Sequence, residues 1–355
     1  MHRKTFTVRF PLVLLLSAVS LLLSPALAET CVTQSAMPDA TYNALSAASL
    51  ALAAKVQAND DAGLRATTIS EFATNFSGIA ATIASAAPNL KGAAPTLDQV
   101  FLLDATATKR NPDGSAPDAQ FYCSLNHSQA EADFTIAALP PGRYAFASVR
   151  FNSTATSPWL VSMLLRQDGV ATSPWLLAGL YPKATVAAGH DGLWYWKQAR
   201  ELAAAKEPWS AYIFYEEARN LLQPAEFVSS THLENLRTEA LSAAPPALSN
   251  GIGNDIPLVV KDAAGAEFDF TALIPQISLG KDKLEVGAYL KIDNSGTTVG
   301  AAIDNEKIRK RNLAAMAALL HAHPELRKSF AGVWIFAQAP GLSPIPTEAS
   351  MDEIH

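Results

Sequence analysis

The first 28 residues most constrain what this chain can fold into, because they have the pattern of a leader that the mature protein lacks. A basic start precedes an apolar run at 11–23, and Ala26-Leu27-Ala28 follows that run. This order is typical of a secretory signal peptide with an A-x-A cleavage site. We therefore expect residues 1–28 to be a signal peptide cleaved after Ala28, and the mature protein to be secreted or periplasmic.

Two alternatives to cleavage have less support from the residues. An uncleaved membrane anchor needs about 20 apolar residues, and the run here is shorter. A lipidated Cys31 would need small residues directly before it, and Glu29 breaks that pattern. Later apolar stretches are interrupted by charges, so we expect no stable membrane span after cleavage.

Charge narrows the range of partners. The formal net charge is −6, and loss of the basic leader makes it more negative. An acidic protein is a poor match for nucleic acid or for an anionic membrane surface. We expect a protein or a small apolar ligand as partner, and no nucleic acid. At roughly 100–200 residues per domain, the mature chain predicts two or three domains.

The chain has two cysteines, Cys31 and Cys123. In an oxidising compartment an even pair favours one disulfide, which would tie the mature N-terminus to a predicted strand. The alternative is two unpaired thiols, with Cys123 packed as a small buried residue. Their wide separation fits neither a CxxC redox site nor a zinc site.

Residues 29–184 predict one α+β domain, with helices first and an antiparallel sheet after them. Apolar residues at 37–88 recur close to every 3.6 residues, as in helices that end at Pro88. Alternating patterns then indicate strands. The segment ATSPWL occurs twice, and each copy opens a Trp-led strand, at 159–166 and at 175–181. The turn between these strands predicts a long hairpin.

Three resemblances follow from these patterns. Helices followed by strands, with WLVSMLLRQDG and WLLAGLY near the end, resemble NTF2-like/cystatin-like proteins over residues 38–184. That resemblance implies a curved sheet around a cavity, although the helix often found between its first strands is missing. The segment FTIAALPPGRYAF is similar to part of the carboxypeptidase-regulatory-like β-sandwiches. The whole chain resembles uncharacterised exported bacterial proteins, which implies export and no particular activity.

Residues 190–242 predict helices again. Asp191 has the residue type and position of an N-cap, and Thr231 with Glu234 has the spacing of a capping box. The small and aromatic residues at 193–224 are spaced as in a single tetratricopeptide (TPR) repeat. One helical hairpin cannot bury its own apolar face, so we expect it to pack on the preceding sheet.

Residues 243–253, rich in Pro, Gly, Ser and Asn, predict a linker. Residues 254–355 predict a small C-terminal α+β domain. Its elements are a hairpin turning at 263–265, a long helix at 304–320 and a closing buried strand at 333–337. The overall fold class is therefore α+β.

The sequence contains no recognised catalytic motif. Nucleophile elbows, nucleotide-binding glycine loops and HExxH are all missing. Glu216 and Glu217 are about 100° apart on a helix, so they cannot serve one cleft as a catalytic pair. His321 and His323 point apart unless the helix ends between them, and a histidine there suits the helix dipole. We expect no catalytic residue, metal or cofactor.

Aromatic residues are the remaining candidates for function. They crowd the helical hairpin and the strands before it, and such side chains are enriched at interfaces and in apolar pockets. The candidate surface consists of Trp159, Trp175, Tyr181, Trp194, Trp196, Trp209, Tyr212 and Tyr215. The alternative is that they pack the hairpin onto the sheet.

These patterns favour an exported, non-enzymatic binding or interaction protein of the cell envelope or extracellular space. The alternative is an enzyme or small-ligand binder whose site lies in an NTF2-like cavity, where scattered groups leave no short motif.

Overall fold

The computed structural model describes residues 29–124, 130–152, 157–169, 172–278, 280, 282–292, 305–339 and 343–355. The predicted signal peptide, residues 1–28, lies outside these ranges. Within them, no helix combines the length and the apolar character needed to cross a bilayer.

Helices and strands alternate in blocks, which confirms the α+β class. The helices are α1 (Asp39–Gln57), α2 (Asp61–Arg65), α3 (Ser70–Thr74), α4 (Ser77–Leu90), α5 (Gly192–Ala204), α6 (Pro208–Leu222), α7 (Thr231–Ala243), α8 (Asn305–Ala322) and α9 (Leu326–Ser329). The strands are β1 (Thr30–Thr33), β2 (Ala94–Asp104), β3 (Ala119–Ser124), β4 (Ala130–Ile136), β5 (Arg143–Asn152), β6 (Trp159–Gln167), β7 (Trp175–Ala184), β8 (Val186–Ala187), β9 (His190–Asp191), β10 (Val228–Ser229), β11 (Leu258–Lys261), β12 (Glu267–Ile277), β13 (Leu284–Lys291), β14 (Gly332–Gln338) and β15 (Ile345–Ser350).

The N-terminal sheet is antiparallel, with strand order β1-β2-β5-β6-β7. The predicted hairpin is present as β6 and β7, where Trp159 pairs with Ala184 and Gln167 pairs with Trp175. The two repeated tryptophans therefore lie at opposite ends of the hairpin.

Both faces of this sheet are covered. One face packs on the N-terminal helices through a helix-side core that includes Leu45, Leu52, Ile83, Val149, Met163 and Leu177. The other face packs on a second sheet of order β10-β4-β3 through an inter-sheet core that includes Phe101, Phe121, Phe134, Phe146 and Leu164. Polar groups on the sheet are paired, as in the hydrogen bond of 3.0 Å between the hydroxyls of Ser148 and Ser162.

The predicted disulfide between Cys31 and Cys123 is confirmed. It joins β1 of the N-terminal sheet to β3 of the second sheet, with the two Cα atoms 5.2 Å apart. Next to it, the carboxylate of Glu29 accepts a hydrogen bond of 3.0 Å from the backbone N–H of Gln120. The start of the described chain is thus held covalently across two sheets.

Helix α4 corrects the expectation that the helix ends at Pro88. It continues to Leu90 with Pro88 inside it. Leu90 is fully buried, and its carbonyl accepts a hydrogen bond of 2.6 Å from the side chain of Gln57. Tertiary packing of the last turn therefore outweighs the loss of one helical hydrogen bond at proline.

Both caps of the helical hairpin region involve the expected residue types. The Asp191 carboxylate accepts from the backbone N–H of Trp194 at 2.8 Å, which confirms the predicted N-cap. The cap of α7 is Ser230, one residue before the predicted Thr231, and it accepts from Leu233 at 3.2 Å. Glu234 instead accepts from the hydroxyl of Ser229.

We expected the hairpin α5–α6 to pack on the preceding sheet, and this was wrong. It packs chiefly on the C-terminal sheet. Its apolar side chains share one continuous C-terminal core with that sheet and α8, including Ala211, Ile213, Phe214, Phe270, Val286, Leu319 and Ile335. Leu248, within the predicted linker 243–253, is buried in the same core. The hairpin packs there because both faces of the N-terminal sheet are already occupied, one by the N-terminal helices and the other by the second sheet.

The C-terminal sheet has the order β11-β12-β13-β14-β15. Its neighbours are antiparallel except β13 and β14, which run parallel and are connected through α8. Strand β15 was not predicted from the sequence, because we expected the strand at 333–337 to be the last element of the domain.

Lys183 links the two halves of the molecule. It lies on β7, and its ammonium group donates to the backbone carbonyls of Asn220 and Gln223 at the end of α6. A cation at a helix C-terminus is favoured by the exposed carbonyls. Burial lowers the pKa of Lys183 to about 8, and the nearby Glu217 carboxylate opposes that shift.

We predict that removing the disulfide weakens the fold substantially. The bridge spans 92 residues of chain, and closing such a loop is worth about 4.6 kcal/mol through the unfolded state. Urea unfolding of a Cys31→Ala/Cys123→Ala variant should show this loss of unfolding free energy. A loss below about 1 kcal/mol would contradict the role given to the bridge.

We also predict that the unfolding free energy rises between pH 8 and pH 10 because of Lys183. In this range the folded state has released the proton from Lys183, whereas an unfolded lysine with a pKa of about 10.4 keeps it. Stability rises with pH wherever the unfolded state binds more protons. The rise should be absent in Lys183→Met, and equal pH slopes for both proteins would contradict this assignment.

Candidate functional site

The aromatic residues predicted as one surface are divided among three cores. Trp159 and Trp175 belong to the helix-side core and Tyr181 to the inter-sheet core. The other five belong to the C-terminal core: Trp194, Trp196, Trp209, Tyr212 and Tyr215. Four of the eight are buried, namely Trp175, Trp196, Trp209 and Tyr215. The structure therefore does not bring them together into one groove, and a binding role for them stays a prediction.

Tyr215 lines a shallow cleft of about 490 Å³ between α5, α6 and α7, together with Arg200 and Glu239. The indole N–H of Trp196 donates to Glu239 at 2.8 Å, and Arg200 donates to both oxygens of the same carboxylate at 2.6 and 2.7 Å. Arg200 also lies over the Trp196 ring. Hydrogen bonding to Arg200 lowers the pKa of Glu239. These groups bind each other and hold α5 against α7.

Trp209 stacks on His323, with 3.7 Å between the ring centroids. The Nε2 atom of His323 is buried and has no hydrogen-bond partner in the described residues, and burial lowers the pKa of His323 to about 4. Helix α8 ends at Ala322, between the two histidines, so the helical geometry expected for the pair does not apply; His321 is exposed, whereas His323 lies against Trp209. In the described residues, no group of three or more His, Cys, Asp or Glu side chains could hold a metal ion.

Strand β14 carries a site that the sequence analysis missed. We expected residues 333–337 to form a buried strand. Val333 and Ile335 do lie in the C-terminal core, but Trp334 and Phe336 are half-buried on the opposite face. These two rings belong to none of the three cores. A Trp-x-Phe alternation within the strand was the available signal.

The opposite face of the sheet forms an ordered grid. Along one row, Ala272, Tyr289, Phe336 and Pro346 are neighbours in register. Along the next row, Ile274, Gly287, Trp334 and Glu348 are neighbours. Side chains on one face of neighbouring strands lie close enough to contact each other. We call the set Tyr289, Trp334, Phe336, Glu285 and Glu348 the aromatic face.

The three rings of the aromatic face form an offset stack. The centroids of Tyr289 and Phe336 are 5.0 Å apart with 25° between the ring planes. Those of Trp334 and Phe336 are 5.8 Å apart with 11° between the planes. Offset stacking is a preferred arrangement of aromatic pairs. The three rings therefore form one continuous apolar cluster rather than three separate contacts.

Glu285 lies beside this cluster of rings, on the same face of the sheet. A Cβ atom added to Gly332 would be 2.9 Å from the Oε1 atom of Glu285, so glycine provides the space for the carboxylate. The indole N–H of Trp334 donates to Glu285 at 2.6 Å and orients the ring. Burial raises the pKa of Glu285, and the hydrogen bond from Trp334 partly opposes this, while the charge of Glu348 adds to the rise.

Polar side chains lie around this cluster of rings. Glu348 neighbours Trp334, and Gln276 neighbours Glu285 across the sheet. At the other end, the hydroxyl of Thr271 donates to the side-chain oxygen of Gln338 at 3.3 Å. The arrangement can stack against an apolar surface of a ligand and hydrogen-bond to polar groups at its edges.

We predict that His323 makes the fold sensitive to acid. Its folded-state pKa is about 4, against about 6.5 in an unfolded chain. Between these values only the unfolded state binds the proton, so unfolding free energy falls by about 3 kcal/mol as the pH drops from 6.5 to 4. His323→Phe keeps a ring on Trp209 and should remove this part of the pH dependence, whereas the exposed-site control His321→Gln should retain it. An unchanged pH dependence in His323→Phe would contradict the prediction.

Comparison of the chain with protein-family models, with curated proteins and with solved structures gave no match in any of the three.

Proposed function

We propose that this chain is an exported, non-enzymatic binding protein of the cell envelope or extracellular space, and that it binds through the aromatic face. The observation that carries the proposal is the partly exposed stack of Tyr289, Phe336 and Trp334, which belongs to none of the three hydrophobic cores of the described residues. A partly exposed apolar ring loses part of the free energy that full burial would give it, and a polar residue at the same position would not incur that loss. Aromatic residues are also the side chains most enriched at binding hot spots.

Preorganisation supports the same proposal. The Trp334 ring is held by its neighbour Phe336 and by the hydrogen bond to Glu285. A ring that is already fixed loses little conformational freedom when a ligand binds, so more of the contact energy is available as affinity.

Export is supported by two separate features. The N-terminal 28 residues have the pattern of a signal peptide. The Cys31–Cys123 disulfide suits an oxidising compartment outside the cytoplasm.

The alternative, an enzyme or small-ligand binder with its site in an NTF2-like cavity, has less support. Such a site needs space and unpaired polar groups next to the N-terminal sheet. The helix-side and inter-sheet cores pack on the two faces of that sheet. The buried hydroxyls of Ser148 and Ser162 bond to each other.

We predict that Trp334→Ala/Phe336→Ala abolishes binding without unfolding the protein. The wild type, immobilised, should retain material from the envelope fraction of the producing cells, and the double variant should retain at least tenfold less, a loss of about 1.4 kcal/mol or more. Tyr122→Ala is the matched control, because Tyr122 is an aromatic residue, is 65% exposed, and lies on strand β3 of a different sheet.

Circular dichroism of all three proteins checks that they are folded. Equal retention by the wild type and the folded double variant would contradict the proposed site. Loss of retention in Tyr122→Ala as well would show that the effect is not specific to the aromatic face.

A further inference from the structure

We infer that two copies of this chain form a dimer by exchanging the parts that follow the turn Ala188-Gly189. In this dimer, residues 29–187 of one copy hold residues 190–355 of the other through the contacts that a single copy makes within itself. Exchange of identical elements is a low-cost route to a dimer, because almost no new contact has to be built. The inference concerns the junction between the two parts and does not depend on the proposed function.

A short segment after α6 joins the two parts. This plug, residues 225–229, fills the end of the inter-sheet core with two buried side chains and a phenylalanine. The ring of Phe227 packs edge-on against those of Phe146 and Tyr181, with 5.8 and 5.2 Å between the centroids. The backbone N–H of Thr135 donates to the carbonyl of Phe227 at 2.9 Å, and β10 pairs with β4. The N-terminal part therefore has a groove that this segment fills.

The plug is carried by the other part of the chain. Helices α6 and α7, directly before and after it, contribute to the C-terminal core, which in the described residues shares no side chain with the inter-sheet core. Beside the plug, Lys183 donates to the carbonyls of Asn220 and Gln223 at the end of α6. Near the turn, the hydroxyl of Tyr195 donates to the carbonyl of Ala187 at 2.9 Å. Each of these contacts joins a residue before the turn to one after it, so each forms equally well between two copies.

The turn between the two parts is tight and strained. Ala188 and Gly189 connect β8 to β9, and their φ angles are 45° and 81°. A left-handed φ suits glycine, but the Cβ atom of alanine makes it unfavourable. Short hinge loops under strain favour exchange between copies. Opening the turn returns Ala188 to an ordinary extended conformation, while β8 of one copy pairs with β9 of the other.

Exchange requires the plug to leave its own groove first. A folded single copy holds the plug through the ring contacts and the β10–β4 pairing, so exchange is slow once folding is complete. During folding the groove is still open, and a second copy competes with the chain's own C-terminal part. We therefore expect the dimer to form when the protein refolds at high concentration and to persist on dilution.

Two substitutions at residue 188 test the inference in opposite directions. Ala188→Gly removes the strain of the closed turn and favours the single copy. Ala188→Pro cannot close the turn, because its ring holds φ at about −65°, and it favours the dimer. The protein, with its disulfide intact, is unfolded in urea and refolded at low and at high concentration. Size exclusion with light scattering then gives the mass and amount of each form.

We expect the wild-type dimer fraction to increase with the concentration during refolding. The ratio of dimer to single copy should fall by about tenfold or more in Ala188→Gly and rise in Ala188→Pro. Ala138→Gly is the matched control, because Ala138 also has a left-handed φ, of 48°, but follows β4 instead of lying at the junction. It should stabilise both forms equally and leave the ratio unchanged.

A wild type that refolds only as a single copy at the highest concentration would overturn the inference, whether or not Ala188→Pro folds. An equal dimer fraction in Ala188→Gly and in the wild type would also overturn it, since that dimer would be held by a surface that the turn does not affect. Neither result bears on binding by the aromatic face, which Trp334→Ala/Phe336→Ala tests separately.

Discussion

Burial of helix α6 is the interaction on which the rest of this structure depends. Nine of its residues are buried, and its side chains contact the C-terminal sheet, α5 and α7 within one continuous core. The same helix accepts the ammonium group of Lys183 from the N-terminal sheet at its C-terminal end. One helix thus holds the hairpin, the C-terminal sheet and the N-terminal sheet together.

This packing also determines which surface is left open. A five-stranded sheet has two faces, and α6 and α8 pack against the one formed by side chains such as Val286 and Ile335. In the part of the chain that the structure describes, the rings of Tyr289, Trp334 and Phe336 on the other face join no hydrophobic core. The aromatic face is therefore a consequence of how the hairpin is placed, and it lies far in sequence from the aromatic cluster that first suggested a binding role.

Local features of the fold were predictable from sequence because their causes are local. Asp191 caps α5, and the Trp-led strands form a hairpin. The disulfide spans 92 residues and was predictable for a different reason, namely that the chain has only two cysteines. The prediction that the helix ends at Pro88 was wrong because burial of Leu90, a tertiary contact, stabilises one further helical stretch beyond the proline. The prediction of which sheet the hairpin packs on was also wrong, because periodicity shows that a helix face is apolar but does not show what covers it.

The site was missed for a related reason. A short run such as GVWIFAQ is apolar at nearly every position, so its pattern is that of a strand buried on both sides. Only the parallel pairing of β13 with β14 shows that Trp334 and Phe336 share a face with Tyr289. Conversely, two of the crowded hairpin aromatics have their partners outside the hairpin: Trp196 bonds to Glu239 on α7, and Trp209 stacks on His323.

Hydroxyl-radical footprinting of the protein with its disulfide intact, with and without an envelope fraction of the producing cells, tests the central claim most directly. In the free protein, Trp334 and Phe336 should be oxidised while the buried Trp175, Trp196 and Trp209 are protected. Addition of the envelope fraction should protect Trp334 and Phe336 and leave the half-buried Trp159 labelled as before. Protection of Trp334 in the free protein, or its unchanged oxidation when envelope material is retained, would contradict the account.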